Sequence, residues 1–350
     1  MSERKKISIL IVDDSAVIRA IISKTLEQHA DIHVIGTANN GQEAIEVVAR
    51  ARPDVVILDI EMPVMDGMTA LPLILKEKPD ALVLMCSTLS SRGADISIRA
   101  MALGAADCLL KPGGESITTA IDFQRNLLRT ILTLWQNLHA PQTAQMPVPQ
   151  RPATPAAPPR VLAIGSSTGG PKALTDLLKD LRNLPVPIVI TQHMPKSFTA
   201  LLAQNLQQSC GLTCMEGGDG MILKAGCVYI APGGLHMTFR QNVHDTVIKL
   251  DNGTPENFCK PSVNPMLRSL NNIYGGRVQV AILTGMGSDG LEGCRQIVES
   301  GGQVIAQDKA SSVVWGMPHA VAMAGLCAAV LPLTQMAPWL RQSITGRKVA

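Results

Sequence analysis

The sequence predicts an α/β chain. It consists of an N-terminal doubly wound unit on a five-stranded parallel sheet, a linker, and a C-terminal doubly wound, mostly parallel α/β unit with a hairpin insert. Three observations predict it. Short Ile- and Val-rich runs alternate with helix-length amphipathic segments on both sides of residues 139–159, the pattern of parallel strands joined by crossover helices. Residues 139–159 carry seven prolines in 21 positions and no apolar periodicity, so they read as an extended linker. Residues 213–262 are rich in glycine and short strand patterns, which accounts for the hairpin. The expected division is 1–125 for the first unit, 126–159 for a helix end and the linker, and 160–350 for the second.

In the first unit, Ile7–Val12 is too short for a helix and is dominated by isoleucine and valine, so it reads as a strand. Ser15 can cap the helix that follows, to about His29. Further strands are expected at His33–Ala38, Asp54–Leu58, Ala81–Cys86 and Asp107–Leu110, with a last helix from Ser116 to Leu138. In the second unit, strands are expected at Val161–Gly165, Ile188–Thr191, Val278–Leu283 and Gln303–Ala306. Helices are expected at Lys172–Leu181, Phe198–Gln208 and Leu291–Ser300.

Composition excludes several classes. Of 350 residues, 46% are hydrophobic and only 17% charged, which argues against wholesale disorder. No apolar run approaches the roughly 18–20 residues of a membrane span. The first apolar run is six residues long and ends in Asp13 and Asp14, unlike a signal peptide. The expectation is therefore a cytoplasmic chain with no membrane insertion. Eight cysteines are scattered without a CxxC, and Cys210 and Cys214 lack a second ligand pair, so they read as reduced thiols rather than a zinc site. Residues 1–138 carry 14 Lys and Arg against 17 Asp and Glu, a balance of −3, and residues 160–350 carry 16 against 11, a balance of +5. No basic cluster accompanies the +5, so nucleic acid is not an expected partner.

Function in doubly wound sheets gathers at the carboxyl ends of the strands. Asp13 and Asp14 follow the first strand, Asp59 the third, Ser87 the fourth and Lys111 the fifth. A parallel, right-handed sheet brings all five to one edge. Crowded carboxylates need a cation, and hard oxygen donors suit Mg²⁺. A carboxylate beside such an ion and a lysine can attack a phosphoryl donor. The stretches LIVDDS, LDIEMPVMDG and LKP resemble the receiver domain of bacterial two-component response regulators. The resemblance implies Asp59 as phosphoacceptor, with Mg²⁺ bound by Asp14, Asp59 and the backbone carbonyl of Glu61 and with Asp13 helping through water. It implies Ser87, with Thr88 adjacent, as the switch hydroxyl, Lys111 as the phosphate-binding lysine, and a cis Lys111–Pro112 bond.

In the second unit, Gly165, Ser167 and Gly169 form G-x-S-x-G between a strand and a helix. This turn can lift a serine into solvent beside helix N-terminal amides suited to an oxyanion; a serine-rich helix cap is the plainer alternative. His193 ends the next strand run, whereas His236 and His319 sit among glycine and proline, which makes His193 the favoured base. Asp289, after the strand at Val278–Leu283, fits the third role of orienting the histidine; Asp308 is a rival. Gly285, Gly287 and Gly290 also spell G-x-G-x-x-G, with Asp308 about 20 residues on, as in a dinucleotide-binding turn. Against that reading, Asp289 would put a carboxylate where a pyrophosphate must lie.

The segments IGSSTGGP, TQHMP, APGGLHM, KPSVNPM, LTGMGSDG and QDKASSVVWGMP, in this order, resemble the catalytic domain of the chemotaxis protein-glutamate methylesterase. With the receiver-like unit, the resemblance covers nearly the whole chain. It implies hydrolysis of glutamyl γ-methyl esters on chemoreceptor cytoplasmic domains and deamidation of receptor glutamines. It implies a triad of Ser167, His193 and Asp289, with groups near Thr168 and Met286 lining the site or the oxyanion hole. It implies a chemotaxis histidine kinase as phosphodonor and no cofactor for the esterase. Ser166 departs from the small residue usual in the family and leaves two adjacent serines. The opposite charges of the two units permit a docked, unphosphorylated state in which the first covers the esterase cleft.

Overall fold

A computed structural model describes residues 6–87, 91–111, 117–139 and 158–346. Chain contacts separate two compact units, Met1–Ala140 and Pro141–Ala350. Most of the expected linker, together with Thr88 and the Lys111–Pro112 bond, lies outside the described residues.

The first unit runs β1 (Ile7–Val12), α1 (Ala16–Glu27), β2 (Ile32–Ala38), α2 (Gly41–Ala51), β3 (Val55–Asp59), α3 (Gly67–Glu77), β4 (Leu82–Ser87), α4 (Ser91–Ala102), β5 (Asp107–Leu110) and α5 (Ile117–His139). Its five strands are parallel in the order β2-β1-β3-β4-β5, as the apolar runs predict. Caps set the helix starts: Ser15 accepts from the Ile18 amide, Asn40 from Glu43 and Asp66 from Thr69, satisfying amides that have no intrahelical partner. Leu10, Val12, Leu58, Val83 and Met85 bury one sheet face against Ala44 and Val48 of α2, Leu71 and Ile74 of α3, and Ala100 of α4. Strands buried on both faces are what a parallel sheet between two helix layers requires.

The second unit runs β6 (Val161–Ser166), α6 (Gly170–Lys179), β7 (Ile188–Gln192), α7 (Lys196–Cys210), β8 (Thr213–Glu216), β9 (Cys227–Ile230), β10 (His236–Asn242), β11 (Asp245–Asp251), α8 (Val263–Tyr274), β12 (Val278–Ile282), α9 (Leu291–Glu299), β13 (Gln303–Gln307), α10 (Met317–Met323), β14 (Cys327–Leu331) and α11 (Leu333–Thr345). Seven parallel strands lie in the order β14-β13-β12-β6-β7-β9-β8. The antiparallel pair β10 and β11 stands apart as the expected hairpin. Chain order reverses direction across the sheet between β6 and β12, which makes a crevice at their carboxyl ends. No described helix is long and apolar enough to cross a membrane.

Candidate functional site

Register decides what meets at the first sheet's edge. Val12 pairs with Leu58, Asp59 with Cys86, and Ser87 with Leu110. The next residues therefore reach the same edge, Asp13 level with Asp59 and Lys111 one place beyond Ser87. The Lys111 ammonium bridges Asp13 Oδ2 and Asp59 Oδ2, each at 2.7 Å. Carboxylate oxygens of Asp13, Asp14 and Asp59 lie within 4.8 Å of one another. Asp13 and Asp59 are buried, while Asp14 and Glu61 are exposed. Burial pushes the Asp59 carboxyl up, and Lys111 only partly offsets this. Burial alone would lower Lys111, but its hydrogen bonds to Asp13 and Asp59 outweigh it and hold the ammonium above its ordinary range. The set of clustered hard oxygens with one solvent-facing member suits Mg²⁺, so these residues fit the ion.

The loop under Asp59 allows no extra atom. A Cβ on Gly67 would stand 2.0 Å from the Asp59 carbonyl oxygen, and the Gly67 amide donates to the Ile60 carbonyl at 2.9 Å. Gly67→Ala is expected to shift the backbone that carries Asp59 and destabilise the first unit by roughly 1–3 kcal/mol. Calorimetry of the full chain would show an earlier first transition; an unmoved transition would mean that the loop yields freely.

In the second unit, Ser167 follows β6, His193 follows β7 and Asp289 lies in the loop after β12, so the topological reversal gathers all three. Ser166 is the last residue of β6 and is fully buried, its Oγ donating to Gln192 Oε1 at 2.6 Å. Ser167 is half-buried and begins the turn into α6, whose cap Gly169 has φ 76°. The β12 loop crosses close beneath: a Cβ on Gly285 would meet Ser167 Cβ at 2.7 Å. Thr168 is buried and Met286 half-buried. The Met286 amide donates to no group among the described residues.

His193 Nε2 lies 2.7 Å from Asp289 Oδ2. Asp289 is 2% exposed and accepts four further bonds, from the Val263 amide at 2.7 Å, Ser262 Oγ at 2.7 Å, the Gly290 amide at 2.9 Å and Asn257 Nδ2 at 3.1 Å. The Val263 amide opens α8, so a helix N-terminus faces the anion. Burial would raise Asp289, but the bond to His193 and these donors hold it below the ordinary carboxylate range. Burial would likewise lower His193, but bonds to Asp289 and Cys259 outweigh it and push the imidazole up to about 9.

Sequence reasoning left two alternatives that the contacts separate. Asp308 accepts from the amide and hydroxyl of its own neighbour Ser311, and Asp289 holds the histidine. The G-x-G-x-x-G turn has its amide at Gly290 and the adjoining α8 amide already occupied by the Asp289 carboxylate, the place a pyrophosphate would need. His236 is tied to Thr254 and Ser262, and His319 packs edge-on against Trp315. The sequence reading missed Asn257 and Cys259. Cys259 Sγ lies 3.5 Å from His193 Nδ1, and no hydrogen bond joins Ser167 to His193 among the described residues.

Residues 162–340 match the family model for CheB methylesterase, and residues 9–122 match that for the response regulator receiver domain. A protein-glutamate methylesterase/protein-glutamine glutaminase 1 of Paramagnetospirillum magneticum is 47% identical over 369 residues, covering 97% of each chain. A protein-glutamate methylesterase/protein-glutamine glutaminase of Azospirillum brasilense is 44% identical, over 96% of this chain and 92% of that one. The crystal structure of the Thermotoga maritima CheB methylesterase catalytic domain is 39% identical, with a TM-score of 0.52, and covers 53% of this chain and 99% of that domain.

Proposed function

The chain belongs to the CheB methylesterase family, and we propose that its chemistry runs through Ser167, His193 and Asp289 under the control of Asp59. It is a protein-glutamate methylesterase and protein-glutamine glutaminase, activated by phosphorylation, that serves chemotactic adaptation. The observation that carries the residue assignment is the buried His193–Asp289 pair beside the Ser167 turn.

Ser167 Oγ attacks the γ-carbonyl carbon of a methylated receptor glutamate. Its proton passes to His193, through Nδ1, because Nε2 is committed to Asp289. Asp289 keeps the ring oriented and stabilises the imidazolium. The amides of Thr168 and Met286 take the oxyanion. The tetrahedral intermediate expels methanol with the proton from His193. Water, deprotonated by the same imidazole, then releases the glutamate carboxylate from the acyl-enzyme. With a glutamine substrate, ammonia leaves in place of methanol.

In the first unit, Asp59 receives the phosphoryl group, the Lys111 ammonium pairs with its oxygens, and the Ser87 hydroxyl donates to it. Asp13, Asp14, Asp59 and the Glu61 carbonyl would hold Mg²⁺, whose chemistry is to offset negative charge on the phosphoryl oxygens. The phosphodonor is a chemotaxis histidine kinase, the substrates are methylated chemoreceptor cytoplasmic domains, and the location is cytoplasmic. The working division remains 1–125 for the receiver, 126–159 for the helix end and linker, and 160–350 for the esterase, which needs no cofactor.

Methanol release from methylated receptor membranes tests the reading, with and without Mg²⁺ and acetyl phosphate. Wild type is expected to release methanol faster with the phosphodonor. Asp59→Asn is expected to keep its basal rate and lose the stimulation, because an amide cannot carry the phosphoryl group. Full activation of Asp59→Asn would refute Asp59 as phosphoacceptor.

A further inference from the structure

Each ring nitrogen of His193 has a partner, and the partners differ in kind. Nε2 meets Asp289 Oδ2 at 2.7 Å, and that carboxylate is fixed by four other donors. Nδ1 meets Cys259 Sγ at 3.5 Å, within the reach of a weak sulfur hydrogen bond. Among the described residues, Asp289 and Cys259 are the titratable groups that act on this ring.

The turn that delivers Cys259 is held against its own preference. Glu256 and Cys259 exchange backbone hydrogen bonds at 3.2 and 2.9 Å, enclosing Asn257 at φ 50° and Phe258 at φ 61°. Two consecutive left-handed residues make a tight hairpin turn of the kind that favours Asn-Gly. A phenylalanine in the second place carries the Cβ penalty of that region, and its side chain is 98% exposed, so no burial of its own offsets this. The turn's contacts lie on either side of it. Glu256 pairs with both terminal nitrogens of Arg268 on α8, Asn257 donates to Asp289 and Cys259 reaches His193. Strain at a site is retained where the surroundings over-determine it, and here two of the three side chains that fix the strained turn end on the His193–Asp289 pair.

We propose that Cys259 is a positioning residue for the esterase: its Sγ holds His193 by Nδ1 in the resting enzyme and gives that nitrogen up to Ser167 when substrate binds. The proposal rests on the reading of His193 as the base. Cys259 touches neither the ester nor the oxyanion; it acts through the ring. Its contact also favours the imidazolium, and a general base must be neutral. The sign follows. Removing the thiol removes a group that raises His193, so the neutral ring appears at lower pH.

Two measurements on the full chain test this. The first is kcat/KM for methanol release against pH, whose limb reports the free enzyme's base. Cys259→Ala is expected to move the rising limb to lower pH by roughly half a unit or more, with kcat lowered by less than about 100-fold. Cys259→Ser keeps a hydrogen-bonding atom at the same place and is expected to fall between the alanine variant and wild type. The second is the ¹⁵N titration of the His193 ring by NMR in a Ser167→Ala background, which requires no turnover. Adding Cys259→Ala there is expected to lower the midpoint and to alter the Nδ1 shift. An unmoved limb and an unmoved midpoint would overturn the positioning role. Near-wild-type turnover by Ser167→Ala would instead overturn the triad reading, so the two failures are distinguishable.

Discussion

Replacing Ser167 by alanine is expected to lower kcat for methanol release by about 10⁴–10⁶-fold, while Ser166→Ala stays within about tenfold of wild type. The two hydroxyls are adjacent in sequence but not in environment. Ser166 closes β6, is fully buried, and gives its proton to Gln192 Oε1 at 2.6 Å. Gln192 in turn donates to the Ser167 and His193 carbonyls at 2.9 and 3.3 Å, so Ser166 stiffens the two strand ends from a fully buried position. Ser166→Ala leaves the Gln192 oxygen without that donor and is expected to cost about 1–3 kcal/mol of stability, seen as an earlier unfolding transition. Ser167 lies one residue further on, where β6 gives way to α6, and is half-buried. The attack proposed for Ser167 needs its hydroxyl oxygen, which a methyl group does not supply. Methanol release by Ser167→Ala near the wild-type rate, or a collapse of Ser166→Ala to the same residual rate, would overturn the assignment.

Strand-end chemistry is what the sequence displays best. β1, β3, β5, β6, β7 and β12 are short runs that end at or shortly before polar residues, and within each parallel sheet the residues at the carboxyl ends gather at one edge. Asp13, Asp59, Lys111, Ser167, His193 and Asp289 stand out in the sequence as candidates for that reason. Other elements have no such punctuation. β8, Thr213–Glu216, is four residues with an exposed start and a half-buried end, yet it closes the main sheet beside β9 rather than joining the hairpin. β14, CAAVL, is alanine-rich and short, without the bulk that marks a strand. α8 has proline at its third position, a sequence that reads as loop as readily as first helical turn. The Asn257 and Cys259 contacts were hidden for a different reason. Their turn lacks the glycine that would announce it, and their targets lie 32 and 66 residues away, a proximity that only tertiary packing creates.

Asp289→Asn is expected to lower kcat by about 10⁴-fold, and to do so without pH rescue. Asp289 faces five donors: His193 Nε2 and the Val263 amide at Oδ2, and Ser262 Oγ, Asn257 Nδ2 and the Gly290 amide at Oδ1. A carboxylate accepts from all of them; an asparagine presents one NH₂ among them. If that NH₂ takes the Oδ1 place, it opposes three donors. If it takes the Oδ2 place, it opposes the Val263 amide and donates to His193 Nε2, which sends the ring proton to Nδ1. The neutral ring then carries a proton on the nitrogen that must accept one from Ser167. Loss of the anion also lowers His193 from about 9, so the neutral ring appears at lower pH than in wild type. A deficit of charge state would therefore be relieved as pH rises, whereas a deficit of tautomer would persist across the range. Cys259→Ala removes a partner from Nδ1 and leaves the tautomer in the care of Asp289, so its profile should shift while retaining most of its height. Asp289→Asn should instead keep its low plateau at every pH at which the fold survives. Recovery of the asparagine variant to within tenfold of wild type at alkaline pH would show that Asp289 acts through charge alone and that the ring's orientation is set elsewhere.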